Sequence, residues 1–543
     1  MSEKLSPLLN PAHNKIKRIK GLNYFLAILS ASLLYISFTF SYLSFFIWFS
    51  YVPILIVVFA EKKYSRILIF LTLTSFLFYF FYLFWMRNYK HPAALPGGIL
   101  TTTIFFLMAG FGARVILDII RRARFQRVFW PSVIGISSWW LFVDYLKSRG
   151  FLAFPWGIPG YSQYDILFMI QSASIFGVWG IDFLIILANV MVTHAVFSFI
   201  IQKNISLEVI FGLCTVVVLV SVNAFYGFIV LKNSGSEIGL ASPSVRSLRV
   251  CLLQPNFDPW NPDVVKNLSL EFRLTEEALR EDPELVVWSE SSVPFLYDFY
   301  LRKRNRYAMM VDRFFKKIGK PVIFGTLEFE GEVVDDNYFG NFYNVVIFYE
   351  AGIPRGKYRK IHLVPFGEWF PYDKLFPFVD KSMRKAGVEE FTPGFEYTVF
   401  DLDGIYVSPL ICFEDVFGDL TRRFVLRGSQ VLVNVTNDAW TGSAEAEWQH
   451  FRISIFRAIE NRRSLVRSAN GGITAGIDPW GRVLKVLEPF LTDYLIVDVP
   501  VMEREIITFY TKHGDFLPKI AVLGLIFLLI FAIFKKIVDL RIG

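Results

Sequence analysis

Three segments of this 543-residue chain carry side chains that together could perform nucleophilic catalysis. Cys412 follows the apolar run 408–411, at a point where a short strand should end. A thiol attacks only as a thiolate, and with an ordinary pKa of about 8.5 little thiolate exists at neutral pH. A base and a group that stabilises an anion are therefore required. Glu290, shortly after the apolar run 285–288, and Lys360 are the candidates for these two roles.

Each candidate also has an ordinary structural interpretation: a small buried hydrophobe for the cysteine, a helix cap or ion pair for the glutamate, and a solvated basic run for the lysine. The neighbouring residues favour catalysis. Glu414 and Asp415 follow the cysteine at the carboxyl end of a strand, where open α/β sheets bind ligands. Trp288 precedes the glutamate and would desolvate it, which suits a general base. No formal charge follows Lys360 until Glu368, so a buried lysine that stabilises an oxyanion is plausible.

Competing chemistries have weaker support. A cysteine–histidine pair would need His362 or His450, but no sequence arrangement links either to Cys412. The chain has no His-Glu-x-x-His, no Cys-x-x-Cys and no Gly-x-x-x-x-Gly-Lys-Ser/Thr motif. The other cysteines, Cys214 and Cys251, show no paired spacing, which argues against a disulfide framework. We therefore expect neither a metal nor a cofactor.

The composition indicates that much of the chain lies in lipid. Hydrophobic residues make up 54% and aromatic residues 17% of the sequence, and the mean hydropathy is +0.44. The net charge of +8 could suggest nucleic acid, but the basic residues lie in short loops between apolar runs. We interpret this charge as a signal of membrane topology and expect no nucleic-acid partner.

Eight apolar runs are long enough to cross about 30 Å of hydrocarbon. Basic residues precede the first run as in a signal peptide, but further runs follow at once, which favours an uncleaved helix. The predicted spans are 22–40, 43–60, 66–86, 98–120, 128–147, 176–202, 208–231 and 518–534.

Lysine and arginine in the connecting loops predict the orientation, because short cytoplasmic loops retain positive charge. With eight spans the basic loops and the basic tail fall on one side, whereas seven spans would separate them. Both termini are then cytoplasmic and the long segment after the seventh span is extracytoplasmic. We expect a membrane domain at 1–231, a catalytic domain at 232–517, and an eighth helix with a cytoplasmic tail at 518–543.

The long segment has the pattern of an α/β layered domain, because short β-rich runs alternate with helices that have charged faces. The predicted strands are 248–254, 285–290, 322–328, 344–350, 405–411, 431–435 and 472–477. The predicted helices are 262–281, 301–318, 416–427 and 446–466.

Three motifs resemble the Glu–Lys–Cys triad of the nitrilase (carbon–nitrogen hydrolase) superfamily. They are Trp-Ser-Glu-Ser around Glu290, Tyr-Arg-Lys-Ile-His-Leu-Val-Pro-Phe-Gly-Glu around Lys360, and Ile-Cys-Phe-Glu around Cys412. Together with the spans and the segments 437–440, 457–460 and 467–472, they make nearly the whole chain similar to the apolipoprotein N-acyltransferase family.

The resemblance implies a nitrilase-like α-β-β-α sandwich beside eight transmembrane helices in a bacterial inner membrane, with the sandwich on the periplasmic side. It implies transfer of a fatty acyl chain from a phospholipid to the amine of diacylglyceryl-cysteine at the amino terminus of an apolipoprotein. Cys412 would form a thioester in ping-pong kinetics, Glu290 would move protons, and Lys360 would stabilise the oxyanion. A monomer is expected.

Further residues would position the substrate or the triad, or close over it. One departure from the family is Phe413, where tyrosine is frequent: the ring can still pack, but the hydroxyl is lost. The apolar loop after Glu368 predicts a mobile lid that dips into the membrane interface, and packing against the domain core is the alternative. The positioning candidates are Glu368, Phe413, Glu414, Glu460, Trp260 and Asn344, and the lid candidates are Trp369, Phe370 and Phe376.

Two alternative functions remain at this point. A membrane-anchored amidase would use the same triad but pass the acyl group to water. A transporter or receptor with a binding-only outer domain would need polar residues inside the spans, which are scarce beyond Asp182 and His194.

Overall fold

The structure is a computed structural model that describes residues 21–89, 92–123, 129–203, 205–234, 246–260, 263–335, 337–370, 372, 375, 377, 381 and 390–542. The chain divides into two compact units. The first unit contains Met1–Arg87, Pro92–Val230 and Asp515–Gly543, and the second contains Asn88–His91 and Leu231–Gly514.

The described residues of the first unit form helices joined by turns and short irregular segments, with no strand among them. Most of its helices are rich in leucine, isoleucine and phenylalanine, so their faces can meet either lipid or one another. The α-helices are Leu22–Thr39, Ile47–Ser50, Val52–Ala60, Tyr64–Tyr82, Ala94–Arg122, Phe129–Lys147, Leu167–Ile170, Ala173–Phe176, Val178–Gln202, Leu207–Asn233 and Phe516–Ile542. Short 3₁₀ turns lie at Ser41–Phe46, Phe84–Asn88 and Pro159–Gln163.

Helices occupy all eight predicted span positions, and within the described residues seven are long and apolar enough to cross a membrane. Phe129–Lys147, at the fifth predicted position, does not reach that hydropathy because it contains tryptophans, serines, Asp144 and Lys147. Its apolar side chains Val133, Ile136 and Leu141 are fully buried. The protein is therefore a multi-pass membrane protein, and eight spans remain a prediction.

Charged side chains inside the first unit pair with one another. Lys147 lies 3.9 Å from Asp144 and donates to the hydroxyl of Tyr79 at 3.3 Å. Asp182 and these two charged residues are buried. Such pairing lowers the large cost of placing charges in a helical membrane unit.

The second unit contains two six-stranded sheets. One has the order β12-β1-β2-β3-β4-β5 and the other β11-β10-β9-β8-β7-β6. The strands are β1 Ser247–Gln254, β2 Leu285–Val287, β3 Val322–Val334, β4 Asn337–Glu350, β5 Ile353–Arg359, β6 Phe400–Leu402, β7 Ile405–Ile411, β8 Val431–Asn437, β9 Ser464–Asn470, β10 Thr474–Ile477, β11 Val483–Leu487 and β12 Asp493–Pro500.

The two sheets pack face to face. Ser468 on β9 donates to the carbonyl oxygens of Leu253 on β1, at 2.7 Å, and Val287 on β2, at 3.2 Å. A Cβ at Gly476 of β10 would lie 2.6 Å from Val497 of β12, so this close approach requires a glycine.

Helices cover the outer faces of both sheets. Val264–Ala278 and Arg306–Ile318 bury Leu268, Phe314 and Phe315 against the first sheet, in one cluster with Trp288. Gly418–Leu426 and Ala444–Asn461 belong to the second sheet's side, and the remaining helices are Tyr297–Arg302 and Phe509–His513. Short 3₁₀ turns lie at Leu279–Glu281, Cys412–Val416 and Ala439–Thr441. The predicted α-β-β-α sandwich is confirmed.

All seven predicted strands are present, but the predicted helix 446–466 extends too far. The helix ends at Asn461 because Arg462 adopts a left-handed conformation with φ of 49°, and β9 then begins at Ser464. Sequence periodicity missed β9 because Arg467 and Asn470 interrupt its apolar pattern, although every residue of this strand is buried.

Candidate active site

The three predicted triad residues follow three different strands of the second unit. Glu290 comes after β2, Lys360 directly after β5, and Cys412 directly after β7. Their exposed fractions are 7%, 1% and 9%, so all three side chains are buried. The basic run that ends at Lys360 is therefore not a fully solvated face, because the side chain of its last lysine is buried.

Glu290 is held on both carboxylate oxygens. Oε1 accepts a hydrogen bond from the amide of Asn344 at 2.8 Å, and Oε2 accepts one from the backbone N–H of Asn437 at 2.9 Å. The turn leaves no room beside it, because a Cβ at Gly325 would lie 2.7 Å from the Glu290 Cα. Burial raises the pKa of Glu290, although Lys360 opposes that shift.

Lys360 lies between two carboxylates. Its Nζ is 3.4 Å from Oε1 of Glu290 and 2.8 Å from Oε1 of Glu368. Asn344 donates to Glu368 as well, at 3.1 Å, and the other oxygen of Glu368 accepts from the backbone N–H of Val364 at 2.8 Å. Burial disfavours the ammonium form, but Glu368 and Glu290 together raise the pKa of Lys360 well above its usual value. The lysine therefore stays charged in a buried site.

Cys412 occupies a strained turn between β7 and a short 3₁₀ helix. Its φ of 53° is unusual for a residue with a side chain, and such strain at a strand-to-helix turn is a common way to present a nucleophile. Burial and the negative charge of Glu290 raise the pKa of the Cys412 thiol well above its usual value, while Lys360 lowers it. The thiol therefore rests in the protonated form and needs a base in order to attack.

Glu414 connects the segments that carry the lysine and the cysteine. Its Oε1 accepts from the hydroxyl of Tyr358 at 2.7 Å and from the backbone N–H groups of Ile361 at 2.7 Å and His362 at 3.0 Å. Its Oε2 accepts from the backbone N–H of Ile411 at 2.8 Å. Burial raises the pKa of Glu414 to about 7 against these hydrogen bonds.

The other positioning candidates lie in different surroundings. The Phe413 ring packs 5.0 Å from the Phe417 ring, centroid to centroid. Glu460 pairs with Arg457 at 2.9 Å, and Arg457 donates to the carbonyl of Val416, which links this pair to the turn after the cysteine rather than to Lys360. The Trp260 side chain is 41% exposed.

The predicted lid segment is described only in part. Phe370 is 7% exposed and stacks on Phe366 at a ring-centroid distance of 5.4 Å. The carbonyl of Trp369 accepts from the backbone N–H of Phe366 at 3.1 Å. Tyr372 and Phe366 are 46% and 41% exposed. Phe376 lies outside the described residues, and the lid remains a prediction.

Sequence analysis named Asp415, His450 and the segments that contain Asp438 and Arg467, but it did not predict that these charged residues lie together beside the cysteine sulfur. Oδ1 of Asp438, directly after β8, lies 4.0 Å from the Cys412 Sγ. His450 lies 3.2 Å from Oδ2 of Asp438 through Nδ1 and 2.8 Å from Asp415 through Nε2. Arg467 on β9 forms ion pairs with both aspartates. The one available signal was the occurrence of polar residues at the ends of adjacent apolar strands.

The fold and these contacts define a class of protein before any relative is considered: a multi-pass membrane protein with a nitrilase-type α/β unit and a buried Glu, Lys and Cys cluster. The carbon-nitrogen hydrolase family model matches residues 249–506. A model described as the apolipoprotein N-acyltransferase N-terminal domain matches residues 30–191.

Similar proteins extend over most of the chain. Apolipoprotein N-acyltransferase 1 of Treponema denticola is 32% identical, covering 85% of this chain and 86% of the relative. Apolipoprotein N-acyltransferase of Geobacter metallireducens is 32% identical over 91% and 92%, and that of Chlorobaculum tepidum is 30% identical over 93% and 95%. The chain belongs to the apolipoprotein N-acyltransferase family, as the sequence motifs predicted.

Proposed function

We propose that this protein transfers a fatty acyl chain from a phospholipid to the amino-terminal amine of diacylglyceryl-cysteine in apolipoproteins, the last step of lipoprotein maturation. The observation that carries the proposal is the buried contact between Lys360 and Glu290 within electrostatic reach of the Cys412 thiol. Membership in the family supports the choice of substrates.

In the first half-reaction, Glu290 takes the proton from Cys412, and the sulfur attacks the phospholipid ester carbonyl. Lys360 and a backbone N–H near the cysteine stabilise the oxyanion that forms. The ester C–O bond then breaks, Glu290 gives its proton to the leaving alkoxide, and a lysophospholipid departs. The acyl chain remains on the sulfur as a thioester.

In the second half-reaction, the neutral amine of the apolipoprotein attacks the thioester carbonyl. Glu290 takes the amine proton, the C–S bond breaks, and the proton passes to the thiolate. The products are an amide and the free enzyme, which gives ping-pong kinetics. Asn344 and the Asn437 N–H hold Glu290 in place for both proton transfers.

We further propose a monomer in the bacterial inner membrane with eight spans and both termini in the cytoplasm. The membrane domain would comprise 1–231 and 518–543, and the catalytic domain 232–517 would lie on the periplasmic side. Exposed lysines in the short loops and in the tail support this orientation under the positive-inside rule. Lys62, Lys63, Lys203 and Lys536 are examples.

Intact-mass analysis after exposure to phospholipid vesicles tests the reaction. We expect an acyl adduct on Cys412 that disappears when a diacylated lipopeptide is added, with appearance of the triacylated peptide. Cys412→Ser should show no thioester adduct, whereas the matched Cys214→Ser variant should behave as wild type. Release of free fatty acid without triacylated peptide would instead establish the amidase-like alternative.

A further inference from the structure

The charged residues behind the cysteine form a closed buried network. Asp415, Asp438, His450 and Arg467 are 0%, 3%, 6% and 0% exposed. Buried charges are tolerated only when each has partners, and most of the partners here are one another, with the buried Glu447 as a further acidic neighbour of Asp438 and Arg467. Arg467 donates to Asp415 and Asp438, and its Nη1 also donates to Asn434 at 3.0 Å.

One oxygen of this network faces the reactive sulfur. Arg467 forms its ion pair with Oδ2 of Asp438, and Nδ1 of His450 lies 3.2 Å from Oδ2 and 3.3 Å from Oδ1. Oδ1 accepts from the hydroxyl of Thr436 at 3.0 Å and lies 4.0 Å from the Cys412 Sγ, within reach of the S–H group.

The two cations keep Asp438 ionised. Burial alone would raise its pKa, but His450 and Arg467 hold the pKa of Asp438 well below its usual range. Burial and Arg467 act against the imidazolium, yet Asp415 and Asp438 raise the pKa of His450 to about 9. At neutral pH Asp438 is therefore a carboxylate beside two cationic groups.

We propose that Asp438, held by His450 and Arg467, is a positioning residue that accepts the S–H hydrogen bond and fixes the Cys412 sulfur for attack. This inference deepens the acyltransferase mechanism and rests on that proposed function. Glu290 remains the base, and Asp438 sets the orientation of the thiol and the ease with which it ionises.

The proposal makes opposite predictions for two members of the network. The charged groups that face the sulfur are Glu290, Lys360, Asp438 and Arg467. Removing the negative charge of Asp438 favours the thiolate, whereas removing the positive charge of His450 disfavours it, because Arg467 keeps Asp438 ionised. His450 itself faces Asp415, Asp438 and Arg467.

Iodoacetamide alkylation of Cys412 measures how much thiolate is available and needs no acyl donor. The reaction is monitored by mass spectrometry from pH 6 to pH 10 in a Cys214→Ser background. At pH 8 we expect Asp438→Asn to react about tenfold faster than the parent and His450→Gln about tenfold slower, since one pKa unit is tenfold in thiolate. The matched control is Asp478→Asn, because Asp478 is also a buried aspartate in an ion pair, with Arg482 at 3.0 Å. It should not change the alkylation rate.

Acyl transfer should change in the other direction. Although its thiol ionises more easily, Asp438→Asn should form the phospholipid thioester about tenfold more slowly, with an unchanged KM for phospholipid, because the sulfur is no longer oriented. General damage to the fold would expose the buried thiol and speed its alkylation in every variant, so the slower alkylation expected of His450→Gln is the result that loss of structure cannot produce. The proposal would be overturned if folded Asp438→Asn and His450→Gln variants were alkylated at the parent rate. It would also be overturned if the two substitutions changed the alkylation rate in the same direction.

A near-isosteric variant keeps the test available if a charged variant does not fold. Thr436→Val removes the hydroxyl that donates to Oδ1 of Asp438 and that also lowers the pKa of the Cys412 thiol through a hydrogen bond, so both losses should slow alkylation at pH 8. Faster or unchanged alkylation would contradict the proposed hydrogen bond. Because alkylation needs no lipid, failure of phospholipid to acylate the parent would overturn the acyltransferase proposal alone.

Discussion

At the scale of single residues, a few buried groups hold the charges of the site in place. Glu368 and Glu290 share the ammonium of Lys360, and Asn344 donates to both carboxylates. Removal of the lysine would leave two buried carboxylates without their common cation, a costly arrangement. The lysine therefore has an electrostatic role in the proposed chemistry. It also has a structural role, because its charge balances the two buried glutamates.

Replacement of Lys360 by methionine tests the first role. We expect single-turnover thioester formation to fall by about 10²- to 10³-fold, because the oxyanion loses its charged donor. Lys360→Arg should not restore the rate, since a planar guanidinium cannot occupy the position of a point charge. The matched control is Lys357→Met on β5, the strand that precedes Lys360, where the lysine is 47% exposed and pairs with Glu328. Wild-type activity of Lys360→Met would contradict the proposed role.

The pH dependence of stability tests the charge state of His450. Its pKa is raised from an ordinary value of about 6.5 to about 9 in the folded protein, so the folded chain binds the proton more tightly. The resulting stabilisation is complete below about pH 6.5 and is lost as the pH rises through about 9. We expect the difference in unfolding temperature between wild type and His450→Gln to shrink between pH 6.5 and pH 10. A constant difference would show that His450 is neutral.

At the scale of elements, the sequence predicted a role for the residues at the ends of β2, β5 and β7, but it gave no role to the charged residues around β8 and β9, although the segments 437–440 and 467–472 carried part of the family resemblance. The triad was recognisable because each member lies beside a marked apolar run and within a family motif. Asp438, His450 and Arg467 are separated by 12 and 17 positions along the chain, and only the alignment of β8 with β9 and the adjacent helix brings them together. Local patterns cannot indicate such a contact.

The exposed apolar residues on both sides of Glu368 give the element-scale prediction. Phe366 and Leu375 are 41% and 71% exposed, which is consistent with insertion into a membrane interface. We expect Phe366→Ser with Leu375→Ser to raise the apparent KM for phospholipid in vesicles about tenfold, and to leave turnover of a short-chain donor in detergent unchanged. Leu426→Ser is the control, because Leu426 is 49% exposed on the helix Gly418–Leu426. An equal loss with both donors would argue that the segment only packs.

At the scale of the whole molecule, the sequence predicted a membrane unit and an α/β unit from composition and periodicity alone. The apolar runs were long enough to indicate helices, and the alternation of strands and helices indicated layers. The number of spans is a harder problem, because Phe129–Lys147 carries Asp144 and Lys147 and buries its apolar residues in the unit. Hydropathy measures compatibility with lipid and cannot register a helix that is shielded by its neighbours.

Labelling from outside the cytoplasmic membrane tests the proposed topology. In a Cys214→Ser background, Glu332→Cys and Lys536→Cys place thiols at exposed positions of the α/β unit and of the tail. If the helix Phe516–Ile542 crosses the membrane and the α/β unit is periplasmic, a membrane-impermeant maleimide should label the first variant in intact spheroplasts. It should label the second only after permeabilisation, because the basic tail is retained in the cytoplasm. Labelling of both variants in intact spheroplasts would show that the helix Phe516–Ile542 does not separate the α/β unit from the tail, and the predicted orientation of the tail would be wrong.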